Sequence, residues 1–328
     1  MDIARPFIRL PFAFDSDQLT REVRDLSDDR WMPHPLGLRG NFAVPLISRD
    51  GEDNDDFHGR MCVTRHLRAC PYTGQVMAAL GEVLGRSRLM KLDPGCEVSE
   101  HIDFNYHWHT RVRIHVPVIT NPAVTFYCAD ENVNMKPGEC WIFNSWRRHR
   151  VVNASEQERV HLVIDTAGSS RFWRNVRRMQ QFDALTDASA IDALVQRVPF
   201  EPQRQPRILT EQFNIAPVMA PGEIDALVGS LVDDFAHNAD NDPLRVTHYS
   251  NLLCDFAKDW REIWHLHGYS RTGWSLYEAA IARVHGQLYP DPRALVTRSN
   301  QIGVNRIIVQ RILNAALATE QYERFLAP

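Results

Sequence analysis

The sequence predicts an α+β chain: an all-β core of short strands, a barrel or a jelly roll, flanked by helices and followed by a helical C-terminal domain. Three observations predict it. From Ser87 to Asp165, strand-like runs alternate with turn formers at Asp93-Pro-Gly95, Thr120-Asn-Pro122 and Met135-Lys-Pro-Gly138. After Gly168 the period-two alternation stops, and apolar residues recur at helical spacing in Arg171–Val176, Ala190–Val195 and Trp274–Leu288. Between the two regimes, Pro199-Phe-Glu-Pro-Gln-Arg-Gln-Pro206 carries three prolines in eight residues, the composition of a linker. A chain of 328 residues is long enough for two domains, and the expected division is 1–198 and 199–328, with helix resuming near Pro221.

In chain order, Leu19, Val23 and Leu26 at helical spacing predict a helix over 15–26, with Asp15 or Ser16 as its cap. Val76, Leu80 and Leu84 predict a second over 73–84. Arg49-Asp-Gly-Glu-Asp-Asn-Asp-Asp56 is a run of polar turn formers and reads as a solvated connection, with a lid at a pocket mouth as the alternative. Ser87–Leu92 reads as a strand. In Arg111–Val118, residues Arg111, Arg113 and His115 share one strand face while Val112, Ile114, Val116 and Val118 share the other. Glu158–Asp165 repeats the design, and taken alone each is a half-buried strand with a solvated basic face. The pentapeptide Ile-Asp-Ala-Leu-Val at 191–195 and again at 224–228 is a coincidence of helical composition, because no further period supports a repeat.

The 44% apolar and 24% charged content is that of a soluble globular protein. A net charge of -4 with pI about 6.4 offers no whole-chain reason to bind nucleic acid, and no apolar run is long enough to span a bilayer. The N-terminus lacks the basic segment and apolar core of a secretory signal, so a cytoplasmic chain with a small-molecule partner is expected. The six cysteines form no C-x-x-C pair and read as free thiols, with Cys128 and Cys140 as small buried hydrophobes.

His101-x-Asp103 projects two potential ligands from one strand face, and His149 on another strand can complete three ligands on one side of a metal. Two imidazoles and a carboxylate with open positions opposite suit Fe(II) that must bind both a co-substrate and dioxygen. Arg113 follows Asp103 by ten residues and Arg159 follows His149 by ten, an offset that unrelated solvated faces would not need to share. The planar arginine fork binds carboxylate bidentately, as anchoring a dicarboxylic acid demands.

These pieces occur in the order His101-x-Asp103, Arg113-x-His115-x-Pro117, Gly138-Glu139-x-Trp141-x-Phe143, His149-x-Val151-x-Asn153 and Arg159-x-His161-Leu162-Val163-x-Asp165. From about Arg88 to Asp165 the chain thereby resembles the aspartyl/asparaginyl β-hydroxylase family of Fe(II)/2-oxoglutarate dioxygenases, most closely the bacterial branch that includes L-proline cis-4-hydroxylase. The resemblance selects a double-stranded β-helix, the cupin-like jelly roll. It implies that His101, Asp103 and His149 hold iron, that Arg159 pairs with the distal carboxylate of 2-oxoglutarate, and that Arg113 and His115 line the co-substrate or substrate pocket. It also favours the amino-acid hydroxylases of bacteria, because the animal members lack a carboxylate ligand where Asp103 stands.

Other residues compete. His107-Trp108-His109 would put two histidines on one strand face as a rival metal pair, but lacks the carboxylate and the trailing arginine. His265-x-His267, among Trp260, Trp264 and Trp274, reads as packing. Arg88 or Lys91 would bind a substrate carboxylate, and Trp146, where relatives place an acidic residue, would stack on or wall off the substrate. The expected function is hydroxylation of a small amino acid, L-proline or a related free one. The alternatives are a residue tethered to a carrier protein, and a cupin-type protein that binds a metal or small acid without oxygen chemistry.

Overall fold

The computed structural model describes residues 3–326 and, for Leu326, the backbone alone. The chain divides into two compact units, Met1–Asp103 with Thr110–Gln212, and Phe104–His109 with Phe213–Pro328.

Strands of the first unit are β1 Phe7–Phe14, β2 Met32–Pro33, β3 Asn41–Arg49, β4 Met61–Val63, β5 Val83–Leu92, β6 Glu97–His101, β7 Val112–Ile119, β8 Val124–Cys128, β9 Glu131–Val133, β10 Glu139–Phe143, β11 His149–Asn153, β12 Arg159–Thr166, β13 Gln196–Val198 and β14 Leu209–Thr210. The helices in chain order begin with α1 Ser16–Arg24, α2 Arg65–Arg68, α3 Pro71–Ala79, α4 Tyr106–Thr110, α5 Ser170–Met179 and α6 Ala188–Asp192, of which α4 lies at the edge of the second unit's short segment. A ten-stranded sheet runs β13-β1-β10-β7-β12-β5-β3-β2, with β14 on β5 and β4 on β3, and a four-stranded sheet runs β6-β11-β8-β9. Leu92, Trp141 and Phe143 of the large sheet pack against Phe126, Cys128 and Val151 of the small one, which makes a jelly-roll core. Strand alternation sends Ile114, Val116, Leu162 and Ile164 to the other face, where Leu19, Val23, Val76 and Phe172 of the helices cover them.

Helix α1 forms as its sequence predicts: Asp15 accepts a hydrogen bond from the Gln18 amide at 2.9 Å, and Leu19 and Val23 are buried. Helix α3 ends earlier than the 73–84 expectation. Gly81 takes φ 65°, a left-handed turn that stops the helix, and Leu84 belongs to β5, paired with Thr166 and Thr210. Gly138 (φ 75°) sits where β1, β7 and β10 meet. Its carbonyl accepts from Phe14 at 2.8 Å and its amide donates to Pro117 at 2.9 Å, and a Cβ there would collide with the Phe14 carbonyl oxygen.

The acidic run after β3 is a connection exposed at Asp50, Glu52 and Asp53, but carboxylates within it are tied down. Asp53 pairs with Arg65 at 2.5 Å and His66 at 2.8 Å, Asp56 with Arg49 at 2.6 Å, and Asp55 with Arg86 at 2.9 Å. The proline-rich segment, in turn, stays with the first unit, so the division falls after Gln212 rather than at 198/199. Gln75 donates to the carbonyls of Glu201 and Arg204 at 2.7 and 3.0 Å, and Leu209–Thr210 pair with β5. Glu211 closes the segment with a bidentate, buried pair to Arg111 at 2.7 and 3.0 Å.

The second unit is helical: α7 Pro221–Ala236, α8 Pro243–His267 and α9 Trp274–Gln287 precede a π-helical turn at Ile308–Leu313. Trp260 is fully buried and donates to the Met219 carbonyl at 2.9 Å, and Tyr249 donates to Asn305 at 2.8 Å. The 191–195 and 224–228 copies of Ile-Asp-Ala-Leu-Val fold differently, the first leaving helix after Asp192 and the second lying inside α7. His265 is exposed on α8 and His267 bonds Thr272 at 3.2 Å, so the pair is not core packing. His107-Trp108-His109 is helical, not a strand. All six cysteines are free thiols, and Cys128 and Cys140 are buried. No described helix is long and apolar enough to cross a membrane.

Candidate metal centre

The antiparallel β6–β11 ladder places His149 directly opposite His101, with ring centroids 4.2 Å apart. Strand β6 ends at His101, so Asp103 is not on the strand; the Asp103 amide donates to the Ser145 carbonyl at 3.0 Å, which holds the residue beside the histidines. The ligand atoms of His101, Asp103 and His149 all lie within 4.8 Å of one another. His101 Nε2 is 3.7 Å from Asp103 Oδ1, and His149 Nε2 is 3.9 Å from Asp103 Oδ2. These separations are too long for hydrogen bonds, and they suit ligands that each stand about 2.1 Å from a shared ion.

The ring orientation is set behind the site. His101 Nδ1 faces the Ser99 carbonyl at 2.8 Å and His149 Nδ1 the Arg147 carbonyl at 2.9 Å. A carbonyl only accepts, so each Nδ1 carries a proton, which leaves Nε2 as the nitrogen of each ring that can ligate. Burial pushes His149 down to about 4 despite the attraction of Asp103, which keeps the imidazole neutral and able to ligate. Asp103 Oδ2 is buried without a hydrogen-bond partner among the described residues, a costly state for a carboxylate oxygen that a cation relieves. The donor set therefore fits a divalent metal ion.

A second constellation lines the inner face of the large sheet. Arg159 opens β12, is 4% exposed, and has its Nε without a hydrogen-bond partner. No carboxylate pairs with it among the described residues; its guanidinium lies 4.9 Å from the Phe126 ring centre. Burial pushes it down to about 9, still charged at neutral pH. On the same face His115 and His161 meet through their Nδ1 atoms at 3.4 Å, and both Nε2 atoms are buried without partners. Phe126 stacks on His161 at 5.2 Å, and Phe143 lies 5.3 Å from His115 and 4.8 Å from His149, so aromatic rings run from this pocket to the metal ligands. His161 belongs to the last sequence motif but was given no role there, although its period-two relation to Arg159 places it on the same face.

A third group is ionic. Arg113, expected at the co-substrate, is paired with Asp165 at 3.3 Å. Arg86 lies 3.7 Å from Asp165 and 2.9 Å from Asp55, its guanidinium covered by the Phe57 ring at 3.8 Å, and Asp55 also binds Arg88. Arg86 went unnoticed in the sequence, and Asp55 and Asp165 were quoted there only within the acidic run and the last motif, because acid–base pairing between distant residues leaves no local pattern. Lys91, an odd number of residues from Arg88, points to the opposite face and packs over Trp31 and Phe42 at 4.8 and 5.0 Å, outside the site. Trp146 is half-buried in the turn between β10 and β11, its amide bonded to Asn144 at 3.2 Å. His107 and His109 do not join the His101–Asp103–His149 group.

Residues 19–168 match the family model described as Aspartyl/Asparaginyl beta-hydroxylase. Comparison with the curated protein sequences found no match. Among solved structures, an oxidoreductase of the 2OG-Fe(II) oxygenase family from Burkholderia pseudomallei is 15% identical with a TM-score of 0.36, covering 50% of this chain and 85% of that one. A Pseudomonas putida prolyl-4-hydroxylase is 14% identical with a TM-score of 0.34, covering 50% and 92%. A cupin domain from Bordetella pertussis is 17% identical with a TM-score of 0.22, covering 38% and 92%.

Proposed function

We propose, from the match of residues 19–168 to the aspartyl/asparaginyl β-hydroxylase family model, that the chain is an Fe(II)/2-oxoglutarate-dependent hydroxylase of a small amino acid, L-proline or a related free one. The observation that carries the reading is the coexistence, inside one jelly roll, of the His101–Asp103–His149 cluster and a buried arginine, Arg159, that pairs with no carboxylate among the described residues. A structural metal alone requires no such arginine, and an unpaired buried guanidinium is costly unless a ligand supplies the anion.

In this reading His101, Asp103 and His149 would hold Fe(II), with the opposite side left for co-substrate and dioxygen. Arg159 would take the distal carboxylate of 2-oxoglutarate bidentately, and His115, with His161 behind it, would supply the remaining polar contact. Bound there, the cofactors supply the oxidative chemistry, in which 2-oxoglutarate and dioxygen become succinate and carbon dioxide as one oxygen atom enters a substrate C–H bond. The chain's own work is positioning. Phe126 and Phe143 exclude water around the co-substrate, the Ser99 and Arg147 carbonyls hold both ligand rings in one tautomer, and Arg88 would anchor the substrate with Trp146 as a wall.

Aerobic turnover of the twenty amino acids with Fe(II) and 2-oxoglutarate, scored by succinate above the uncoupled background, tests this. At least one should yield succinate in equal amount to hydroxylated product. Succinate above background only with a carrier-tethered residue would move the substrate class. A chain that binds metal but neither binds nor consumes 2-oxoglutarate would be a cupin-type binding protein.

A further inference from the structure

We propose that Asp55 is a specificity-determining residue that binds the ammonium group of the substrate while Arg88 binds its carboxylate, so that the pocket selects a free, zwitterionic α-amino acid. The inference rests on the hydroxylase reading above and names the chemistry by which its substrate is chosen.

Arg88 stands on β5 with 5% of its surface exposed. Only its Nη1 is engaged, by Asp55 Oδ1; Nε and Nη2 have no hydrogen-bond partner among the described residues. Asp55 mirrors this. Its Oδ1 is shared between Arg86 and Arg88, and its Oδ2 has no hydrogen-bond partner there. A cation and an anion are thus fixed side by side, each with capacity to spare, and the complement of that pair is a molecule carrying a carboxylate and an ammonium a few bonds apart. A ligand with the carboxylate alone would face Asp55 as a like charge, and an N-acylated or peptide-linked residue would bring no cation to Oδ2.

Asp55 is held in place from outside the pair. The Asp55 carbonyl accepts from Arg86 Nη1 at 3.0 Å, and the Phe57 ring covers the Arg86 guanidinium at 3.8 Å, so the segment is seated on the sheet by two further contacts. The ion pairs continue inward from Arg86 to Asp165 at 3.7 Å and from Asp165 to Arg113 at 3.3 Å. Arg113 shares a face of β7 with His115, whose ring lies 5.3 Å from Phe143, itself 4.8 Å from His149, which ties this network to the side of the pocket where the candidate metal ligands lie.

The test is calorimetric titration of the full chain, anaerobic and loaded with Fe(II) and 2-oxoglutarate, with each of the twenty free amino acids and with the N-acetyl and carboxamide derivatives of those that bind. The best free amino acid should bind at least about 10-fold more tightly than its N-acetyl derivative, the size expected for one hydrogen bond between charged groups. Asp55→Asn should remove about that factor for the free amino acid without weakening the N-acetyl derivative, whose carboxylate loses a like charge beside it, and Asp55→Glu should restore part of the free form's affinity. The proposal is overturned if the N-acetyl derivative binds as well as the free form, if Asp55→Asn leaves the free form's affinity unchanged, or if no free amino acid binds. The comparison of derivatives on the unmodified chain decides even where a variant does not fold. A separate titration of 2-oxoglutarate into the Fe(II)-loaded chain reports on the hydroxylase reading alone, and Asp55→Asn should not change it.

Discussion

His101 and His149 stand directly opposite one another across the β6–β11 ladder, and that register is what brings together two candidate metal ligands far apart in the chain. A slip of one residue would turn one imidazole to the other face of the sheet. Their backs are held by carbonyls and their Nε2 atoms face Asp103. His149→Ala and Asp103→Ala should therefore each lower Fe(II) affinity, and with it 2-oxoglutarate turnover, by about 100-fold or more, since loss of an outer-shell partner alone costs 10–100-fold. Metal content after dialysis and succinate release check this; full activity in both variants would remove the site assignment.

Arg159→Ala should separate metal from co-substrate. Truncating one partner of a buried charge pair costs roughly 2–5 kcal/mol, so the dissociation constant for 2-oxoglutarate should rise about 30-fold or more. Fe(II) content should stay at one per chain. Equal loss of metal and co-substrate would mean that Arg159 serves the fold instead.

The Arg111–Glu211 pair predicts a stability effect. Both side chains are buried and joined by two hydrogen bonds, so Glu211→Ala leaves a guanidinium without its anion. The expected loss is about 3–5 kcal/mol, read from urea unfolding. A change below about 1 kcal/mol, the ceiling for most exposed pairs, would show that water replaces the carboxylate.

His115 and His161 make the fold acid-sensitive. Burial, followed for His115 by the charges of Arg113 and Arg159 and for His161 by those of Arg159 and His115, holds both well below the ordinary 6.5. Below pH 6.5 the unfolded chain takes up protons at these rings that the folded chain refuses, so stability is level above 6.5 and falls as pH drops through it. His161→Leu should flatten that fall by up to about 1.4 kcal/mol per pH unit, the weight of one proton. Unfolding curves collected on either side of 6.5 give the slope, and an identical slope in the variant would show that His161 is protonated in the folded state.

The strand alternation of Arg111–Val118 and Glu158–Asp165 was legible in the sequence and carried most of the jelly roll, and the cap at Asp15 and the proline at the first position of α7, Pro221, placed their helices. Leu84 was not, because its spacing from Val76 and Leu80 continues the helical period until Gly81 breaks it. The acidic run at 50–56 looked solvated for a similar reason: composition reports that Asp53, Asp55 and Asp56 are charged, and nothing local reports that Arg65, Arg86, Arg88 and Arg49 meet them.

By itself the sequence determined which residue types share a strand face, and hence the inward arginines; it also brought forward His101, Asp103 and His149 as candidate ligands, although Asp103 lies beyond the end of β6 and is placed by the Ser145 carbonyl instead. Only the tertiary structure decided which arginines are already paired. Arg113 and Arg88 have acidic partners while Arg159 has none among the described residues, and His161 joins His115 behind it. The reason is physical: side-chain direction follows from the two-residue period of one strand, whereas a charge is satisfied or left open by strands and loops that reach it from distant parts of the chain.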